Sequence, residues 1–298
     1  MKTVGVAIIT HNAAHLIESC LKPLLEGVDP KKILVVNSSS NDGTVEKAKK
    51  LNVSTLVIPR KEFNHGTTRE LARKQLGTDI VVMMTPDAIA YTNTLELMVK
   101  PLVEGKASIA YARQLPHKGA DFFEAFPRQF NYPETSQLRS FEDREKYGVY
   151  TCFCSDSCAA YVNSALDEVG GFQSVLIAED TLAVAELLKK GHKIAYVAEA
   201  RVHHSHRYTL SQEFRRHFDT GLMRQRHKPT LEAFGSDAKR GRAFVKLLLK
   251  NLVKTKPALL PYACANLVVK ALGYQVGKWG NGLPTTVKKV LSSQDFYW

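Results

Sequence analysis

The sequence predicts an α/β fold, a Rossmann-like and mostly parallel sheet with a basic helical C-terminal extension. Three observations predict it. Short apolar, β-branched runs alternate with segments of helical spacing over residues 4–111. The runs are apolar throughout, as strands covered on both faces are. Small polar residues gather where each run ends, as in the turns of β-α units.

The elements follow in order. Residues 4–9 are a first strand, and 12–25 a helix carrying Leu16, Cys20 and Leu24 on one face. Residues 33–36 are a second strand, 44–50 a short helix and 54–58 a third strand. A helix over 67–75, a strand over 80–84, a helix over 94–103 and a strand over 108–111 complete the first half. Residues 113–150 read as a long polar loop, because Pro116, Pro127 and Pro133 interrupt any regular element. A helix over 164–169 stops at Gly170–Gly171, and one over 181–190 stops at Gly191. The strand 192–197 then leads into a histidine-rich loop.

Charge divides the chain. Residues 1–220 carry 27 Lys and Arg against 26 Asp and Glu, whereas residues 221–298 carry 14 against 3. The first segment reads as a near-neutral globular domain and the second as a basic amphipathic tail. In the tail Lys246, Lys250 and Lys254 form one helical stripe, and Val245, Leu248, Leu249 and Leu252 another. Trp279 and Trp298 also lie there. Such a stripe suits an anionic membrane surface. The alternatives, which do not exclude it, are packing on the first domain or a homo-oligomeric contact. No apolar stretch reaches the roughly 18 residues of a spanning helix, and no signal peptide is evident. The expected location is cytoplasmic, peripheral on the inner face of the cytoplasmic membrane. The tail lacks the aromatic-basic interleaving of a nucleic-acid surface. Five cysteines, an odd count, argue against a disulfide framework.

Ligands of such sheets bind beyond the carboxyl ends of the strands. Thr10, His11 and Asn12 follow the first strand and 37–44, N-S-S-S-N-D-G-T, the second. Those side chains can bond a base or ribose, or cap the next helix. After the third strand Gly66 opens a helix flanked by His65 and Arg69, a plausible diphosphate seat. Asp87 follows the fourth strand, where a carboxylate suits Mg²⁺ or Mn²⁺.

Taken together, the motifs resemble the inverting family-2 glycosyltransferases of GT-A fold. More narrowly they resemble bacterial rhamnosyltransferases that use dTDP-L-rhamnose. The pieces run in order along nearly the whole chain: I-I-T-H-N (8–12), V-N-S-S-S-N-D-G-T (36–44), F-N-H-G-T-T-R (63–69), T-P-D-A (85–88), Y-A-R-Q-L-P-H (111–117), F-N-Y-P (130–133), S-A-L-D-E-V-G-G-F (164–172), A-E-D (178–180), V-H-H-S-H (202–206) and L-G-Y-Q-V-G (272–277).

The resemblance implies that residues 1–220 are the catalytic domain, with donor binding in the first half and an acceptor region over 113–180, and that 221–298 are a basic amphipathic helical tail. It also implies roles. Thr10, Asn12, Asn37 and Asp42 would line the nucleoside pocket, and His65, Gly66 and Arg69 would flank the diphosphate and sugar. Asp87 would be the surviving carboxylate of the family's D-x-D, with His204 or His206 completing the metal site or touching the diphosphate. Asp180 would be the general base, and Arg113, Ser155, Asp156 and Glu179 would face sugar or acceptor. Two departures stand out. Asn37 replaces an Asp that pairs with the base, and Thr85 replaces the first Asp of D-x-D. The implied reaction moves a sugar, L-rhamnose first, from a nucleotide donor to a lipid-linked saccharide of bacterial surface polysaccharide. A UDP-sugar donor is the alternative, and a nucleic-acid-binding protein a more distant one.

Overall fold

The computed structural model describes residues 2–236 and 238–298. Among these, nine strands form one sheet: β1 (Val4–Thr10), β2 (Ile33–Asn37), β3 (Ser54–Val57), β4 (Ile80–Met84), β5 (Ile89–Ala90), β6 (Ile109–Leu115), β7 (Gln137–Arg139), β8 (Cys158–Val162) and β9 (Ile194–His203). Their order is β3-β2-β1-β4-β8-β6-β9-β5, with β7 also paired to β9. β1 to β4 pair in parallel, β8 enters antiparallel between β4 and β6, and β6 and β9 are again parallel.

Alternate residues of a strand face opposite sides of a sheet, and here both sides are covered. Ile8, Val35 and Val82 pack with Ile17, Leu21 and Met98 on one side. Ala7, Val36 and Met83 join Tyr111, Tyr161 and Leu187 on the other. Double coverage is why the strands read as continuous apolar runs. Strand order reverses at β1, between β2 and β4, so a crevice opens at its carboxyl end.

Residues 113–150 differ from the expected loop. β6 continues to Leu115 through a register shift between Ala112 and Arg113. The helix Phe122–Asn131 follows, closed by a reciprocal capping box between Asp121 and Glu124. Pro127 lies inside that helix, where its missing N–H removes one bond. Tertiary packing compensates: Phe126 and Phe130 meet Phe244 of the tail edge to face. At the other end of the sheet β9 runs on to His203, past the expected stop at 197.

The helix Leu210–Arg226 runs through position 220/221, where charge divides the sequence, and lies against the helix Leu260–Trp279. Glycines set that crossing. A Cβ on Gly221 would sit 2.1 Å from the Tyr274 carbonyl oxygen, and one on Gly277 2.0 Å from that of Phe218. In the helix Ala238–Thr255, Leu248 and Leu252 turn inward onto Phe126 and Ala263. That part of the stripe therefore packs within the molecule. Lys246, Lys250 and Lys254 remain exposed, as do Leu247, Val253, Val268, Leu272 and Trp279. Among the described residues no helix is long and apolar enough to cross a membrane.

Candidate active site

A cleft of about 520 Å³ opens at the carboxyl end of β1 and β4. It gathers Thr10, Asn12, His65, Arg69, Thr85, Asp87, Ser155, His204 and His206 from five separate stretches of sequence.

Three side chains converge within it. Asp87 Oδ2 lies 3.5 Å from His204 Nε2 and 3.3 Å from His206 Nε2, and the two Nε2 atoms are 2.9 Å apart. Asp87 Oδ1 is buried with no aligned hydrogen-bond partner. Burial pushes the Asp87 carboxyl up, but the adjacent His204 and His206 outweigh it and hold the group well below the usual range. Burial lowers both histidines, His206 to about 4, so both imidazoles are neutral near pH 7. One carboxylate and two neutral imidazoles facing one point form a donor set for a divalent cation.

His204 is oriented from behind. Its Nδ1–H donates to Gln114 Oε1 at 2.9 Å, which leaves the Nε2 lone pair facing Asp87. The same Gln114 oxygen accepts from Arg128 Nη1 at 2.7 Å, and Gln114 Nε2 donates to Ser155 Oγ at 2.8 Å. The glutamine is 2% exposed. The adjacent His203 is spent elsewhere, with Nδ1 on the Pro116 carbonyl and Nε2 on the Tyr91 hydroxyl.

The carboxylates of the A-E-D stretch surround Arg69. Its guanidinium pairs with Glu179 through Nη1 and lies 3.0 Å from Asp156 Oδ2 through Nε. Tyr161 donates to Asp156 Oδ1 at 2.6 Å. Asp180 completes the group, its Oδ2 accepting from the Asp156 backbone N–H at 3.3 Å; like Asp156 and Glu179 it lies behind Arg69, outside the residues that line the cleft. Burial raises the Asp180 carboxyl despite the opposing charge of Arg69. Burial likewise raises Asp156, to about 7, with the Asp180 charge adding to the effect. Ala178, just before Glu179, holds φ +64°, a left-handed conformation costly for a residue with a Cβ. That strained turn starts the helix carrying both acids.

Several expected contacts fall elsewhere. Asn37 is fully buried, with Nδ2 on Thr10 Oγ1 and Ser40 Oγ and Oδ1 on the Ser40 N–H, so it backs the pocket wall instead of facing it. Asp42 is a cap, accepting from the Ala14 and Thr44 backbone. The first N–H groups of the helix His65–Leu76 are taken by the Asn64 side chain, which closes that end as an anion seat. Gly66 is needed for packing, since a Cβ would stand 1.8 Å from the Gln173 carbonyl oxygen. Burial and the neighbouring Arg69 lower His65 to about 3, so it is neutral. Arg113 pairs with Glu134 at 3.0 Å, outside the cleft lining. Glu179 and Asp156 are buried against Arg69, so neither faces an acceptor directly.

Other cleft residues were not singled out by sequence: Arg60, Arg128, Tyr208, Arg216, Gln294 and Phe296. Among the described residues Arg60, Arg128 and Arg216 have no carboxylate within 4.0 Å, unlike Arg69. They are the cations left to meet an anionic ligand.

Residues 5–170 match the family model for glycosyl transferase family 2. The chain is 37% identical to the O-antigen chain rhamnosyltransferase RfbN of Salmonella typhimurium, over 99% of this chain and 96% of the relative. It is 36% identical to the O-antigen chain rhamnosyltransferase WbaN of Salmonella anatum, over 90% and 86%. In fold it is similar to the mannosyltransferase PcManGT of Pyrobaculum calidifontis, solved with GDP-Man and Mn²⁺: TM-score 0.62, 18% identity, 94% of this chain and 87% of that one. Residues 1–349 of S. aureus TarS follow at TM-score 0.58 and 15% identity, over 98% and 83%. The chain belongs to glycosyl transferase family 2, and its fold is GT-A-like.

Proposed function

We propose that this family 2 glycosyltransferase moves L-rhamnose from dTDP-L-rhamnose to a lipid-linked saccharide in O-antigen assembly, with inversion at the anomeric carbon. One observation carries the reading. Asp87, His204 and His206 meet at one point of a cleft that also holds the strand-end loops and cations suited to a nucleotide. The two rhamnosyltransferase relatives support the choice of sugar.

Transfer breaks the bond from the anomeric carbon to the diphosphate, so negative charge grows on the leaving group. Asp87, His204 and His206 would hold a divalent cation, which when bound supplies positive charge to that group. Two imidazoles beside one carboxylate favour Mn²⁺ over Mg²⁺, which prefers oxygen donors. Arg128 and Arg216 face the same space and add fixed positive charge. Thr10 and Asn12 line the nucleoside end, with Asn37 and Asp42 bracing the loops behind them. Asp180 takes the proton of the attacking acceptor hydroxyl. Burial raises its pKa, which makes it a stronger base than a free carboxylate. Ser155 lines the approach beside it. A single attack with one base inverts the centre, in contrast to the carboxylate pair that flanks the bond in glycoside hydrolysis.

The catalytic body spans residues 1–220, and the basic tail 221–298 adds attachment to an anionic membrane, on the cytoplasmic face where lipid-linked acceptors are built. Exposed Lys246, Lys250 and Lys254 flank exposed Leu247 and Val253 on one helix. The test is a transfer assay on purified protein with a lipid-linked acceptor, dTDP-L-rhamnose or UDP-sugars, and Mn²⁺, Mg²⁺ or chelator. Metal-dependent transfer from dTDP-L-rhamnose is expected. Transfer from a UDP-sugar alone would overturn the donor assignment. Flotation with phosphatidylglycerol-containing vesicles tests the attachment, which should weaken as salt rises.

A further inference from the structure

The nucleoside end of the cleft has a wall that the strand-end loops of the first half supply only in part. Gln294 and Phe296, more than 200 residues beyond those loops, line it together with Arg60, Phe63 and His65. We infer that the segment Ser292–Trp298 is part of the donor site, with Phe296 and Gln294 contacting the pyrimidine nucleoside. The inference rests on the donor reading above and adds to it a binding role for the tail.

The segment is built in. Asp219, fully buried on the helix Leu210–Arg226, accepts from the Ser293 backbone N–H at 2.8 Å and from its hydroxyl. Ser292 is 1% exposed and its hydroxyl accepts from the Gln294 N–H at 2.9 Å. Tyr297 and Trp298 pack with Leu176, Phe218 and Leu222. Arg226 and Lys288 sit over the Trp298 ring at 5.1 and 5.6 Å. Between these anchors the two cleft residues are held firmly.

Their chemistry fits a flat heteroaromatic ring. Phe296 meets Phe63 edge to face at 5.2 Å, and the Arg60 guanidinium lies 4.4 Å from its ring centre. Arg60 also donates to Ser38 Oγ at 3.1 Å, which fixes it beside the loop after β2. Gln294 Oε1 accepts from His65 Nε2–H at 3.3 Å and its Nε2 donates to Ser293 Oγ at 3.3 Å, leaving the second amide N–H as a donor for a base carbonyl or a ribose oxygen. Two aromatic rings, a planar cation and an amide are what a pyrimidine needs: faces to stack on and an edge to bond. By contrast, the diphosphate end holds Asp87, the histidines, Arg128 and Arg216, none of them from this segment.

The experiment compares full-length protein with Phe296→Ala, Phe296→Leu and Gln294→Ala. Calorimetry with Mn²⁺ measures dTDP affinity, competition against dTDP measures inorganic pyrophosphate affinity, and circular dichroism follows folding. Loss of one aromatic stacking partner should weaken dTDP about tenfold in Phe296→Ala. Pyrophosphate affinity should stay at the wild-type value. Phe296→Leu keeps the core volume, so its loss of dTDP affinity with an unchanged melt separates contact from folding. Equal weakening of dTDP and pyrophosphate, or unchanged dTDP affinity in folded Phe296→Ala and Phe296→Leu, would overturn the inference. Wild-type protein that binds no dTDP would instead defeat the donor reading.

Discussion

Replacing Gln114 by Leu separates the proposed metal ligands from the residue that aims them. The side chain is 2% exposed, and its amide makes three bonds: from His204 Nδ1 at 2.9 Å, from Arg128 Nη1 at 2.7 Å and to Ser155 Oγ at 2.8 Å. Leucine roughly keeps the volume and removes all three. The His204 Nδ1–H loses its acceptor in a buried site, which costs about 1–3 kcal/mol. The ring then gains access to its other tautomer, in which Nε2 carries the proton and offers no lone pair. Removal of such an orienting partner lowers metal affinity about 10- to 100-fold, or about 1.4–2.7 kcal/mol. Mn²⁺ titration in the presence of dTDP, followed by calorimetry or electron paramagnetic resonance, reads this without any turnover. Gln114→Glu restores the acceptor oxygen and should recover most of the affinity. Wild-type Mn²⁺ affinity in a folded Gln114→Leu protein would refute the orienting role.

Asp180→Asn should lower transfer by about 10²- to 10⁴-fold, the range of a lost general base, while dTDP affinity stays intact; near-normal rates would remove Asp180 from that role. The wild-type rate should climb with pH through a midpoint above the ordinary aspartate value, because burial raises the Asp180 carboxyl; a midpoint at or below about 3.9 contradicts this. Asp156, raised to about 7 by burial, favours the folded protein when protonated, so its contribution is complete below about pH 4 and is lost as pH rises through about 7. Asp156→Asn should flatten that decline in melts recorded against pH, and an unchanged slope would count against the assignment. Gly277→Val drives a side chain into the Phe218 carbonyl and should destabilise the protein by about 1–3 kcal/mol; an unchanged melt would mean that the two helices do not cross this closely.

Strands β1, β2 and β4 were legible because both their faces are buried, which turns burial directly into an apolar run. The region 113–150 was not, because three prolines outweighed weaker signals that were present. Asp121 stands three residues before Glu124, and Phe122, Phe126 and Phe130 recur every four residues, a capping box and an apolar stripe together. In the site, residues next to a strand end could be found by position: Asp87, His204 and His206 were. Arg128 and Arg216 lie on helices and Phe296 lies near residue 298, so their place depends on tertiary packing that no local pattern encodes. Asn37 shows the converse. Its place after β2 was right, but the Ser40 loop folds back and takes up its amide.

Two electrostatic halves meet at Arg69, a buried carboxylate cluster behind it and a cationic cleft wall in front. Arg69, expected beside the diphosphate, is instead enclosed by Glu179 and Asp156, with Asp180 next to them. One guanidinium cannot balance three carboxylates, so that half keeps an affinity for protons, which Asp156 expresses through its raised pKa. The opposite half has Arg60, Arg128 and Arg216, which have no carboxylate partner among the described residues, and two imidazoles that burial keeps neutral. Sugar transfer requires that asymmetry: a proton leaves the acceptor on one side of the anomeric carbon while negative charge arrives on the other. Had Arg69 been free, it would have stabilised the leaving group but left Asp156 and Glu179 as unpaired buried charges. In the proposed mechanism the ion pair therefore holds the carboxylate half together, and the cationic work would pass to the arginines contributed by helices.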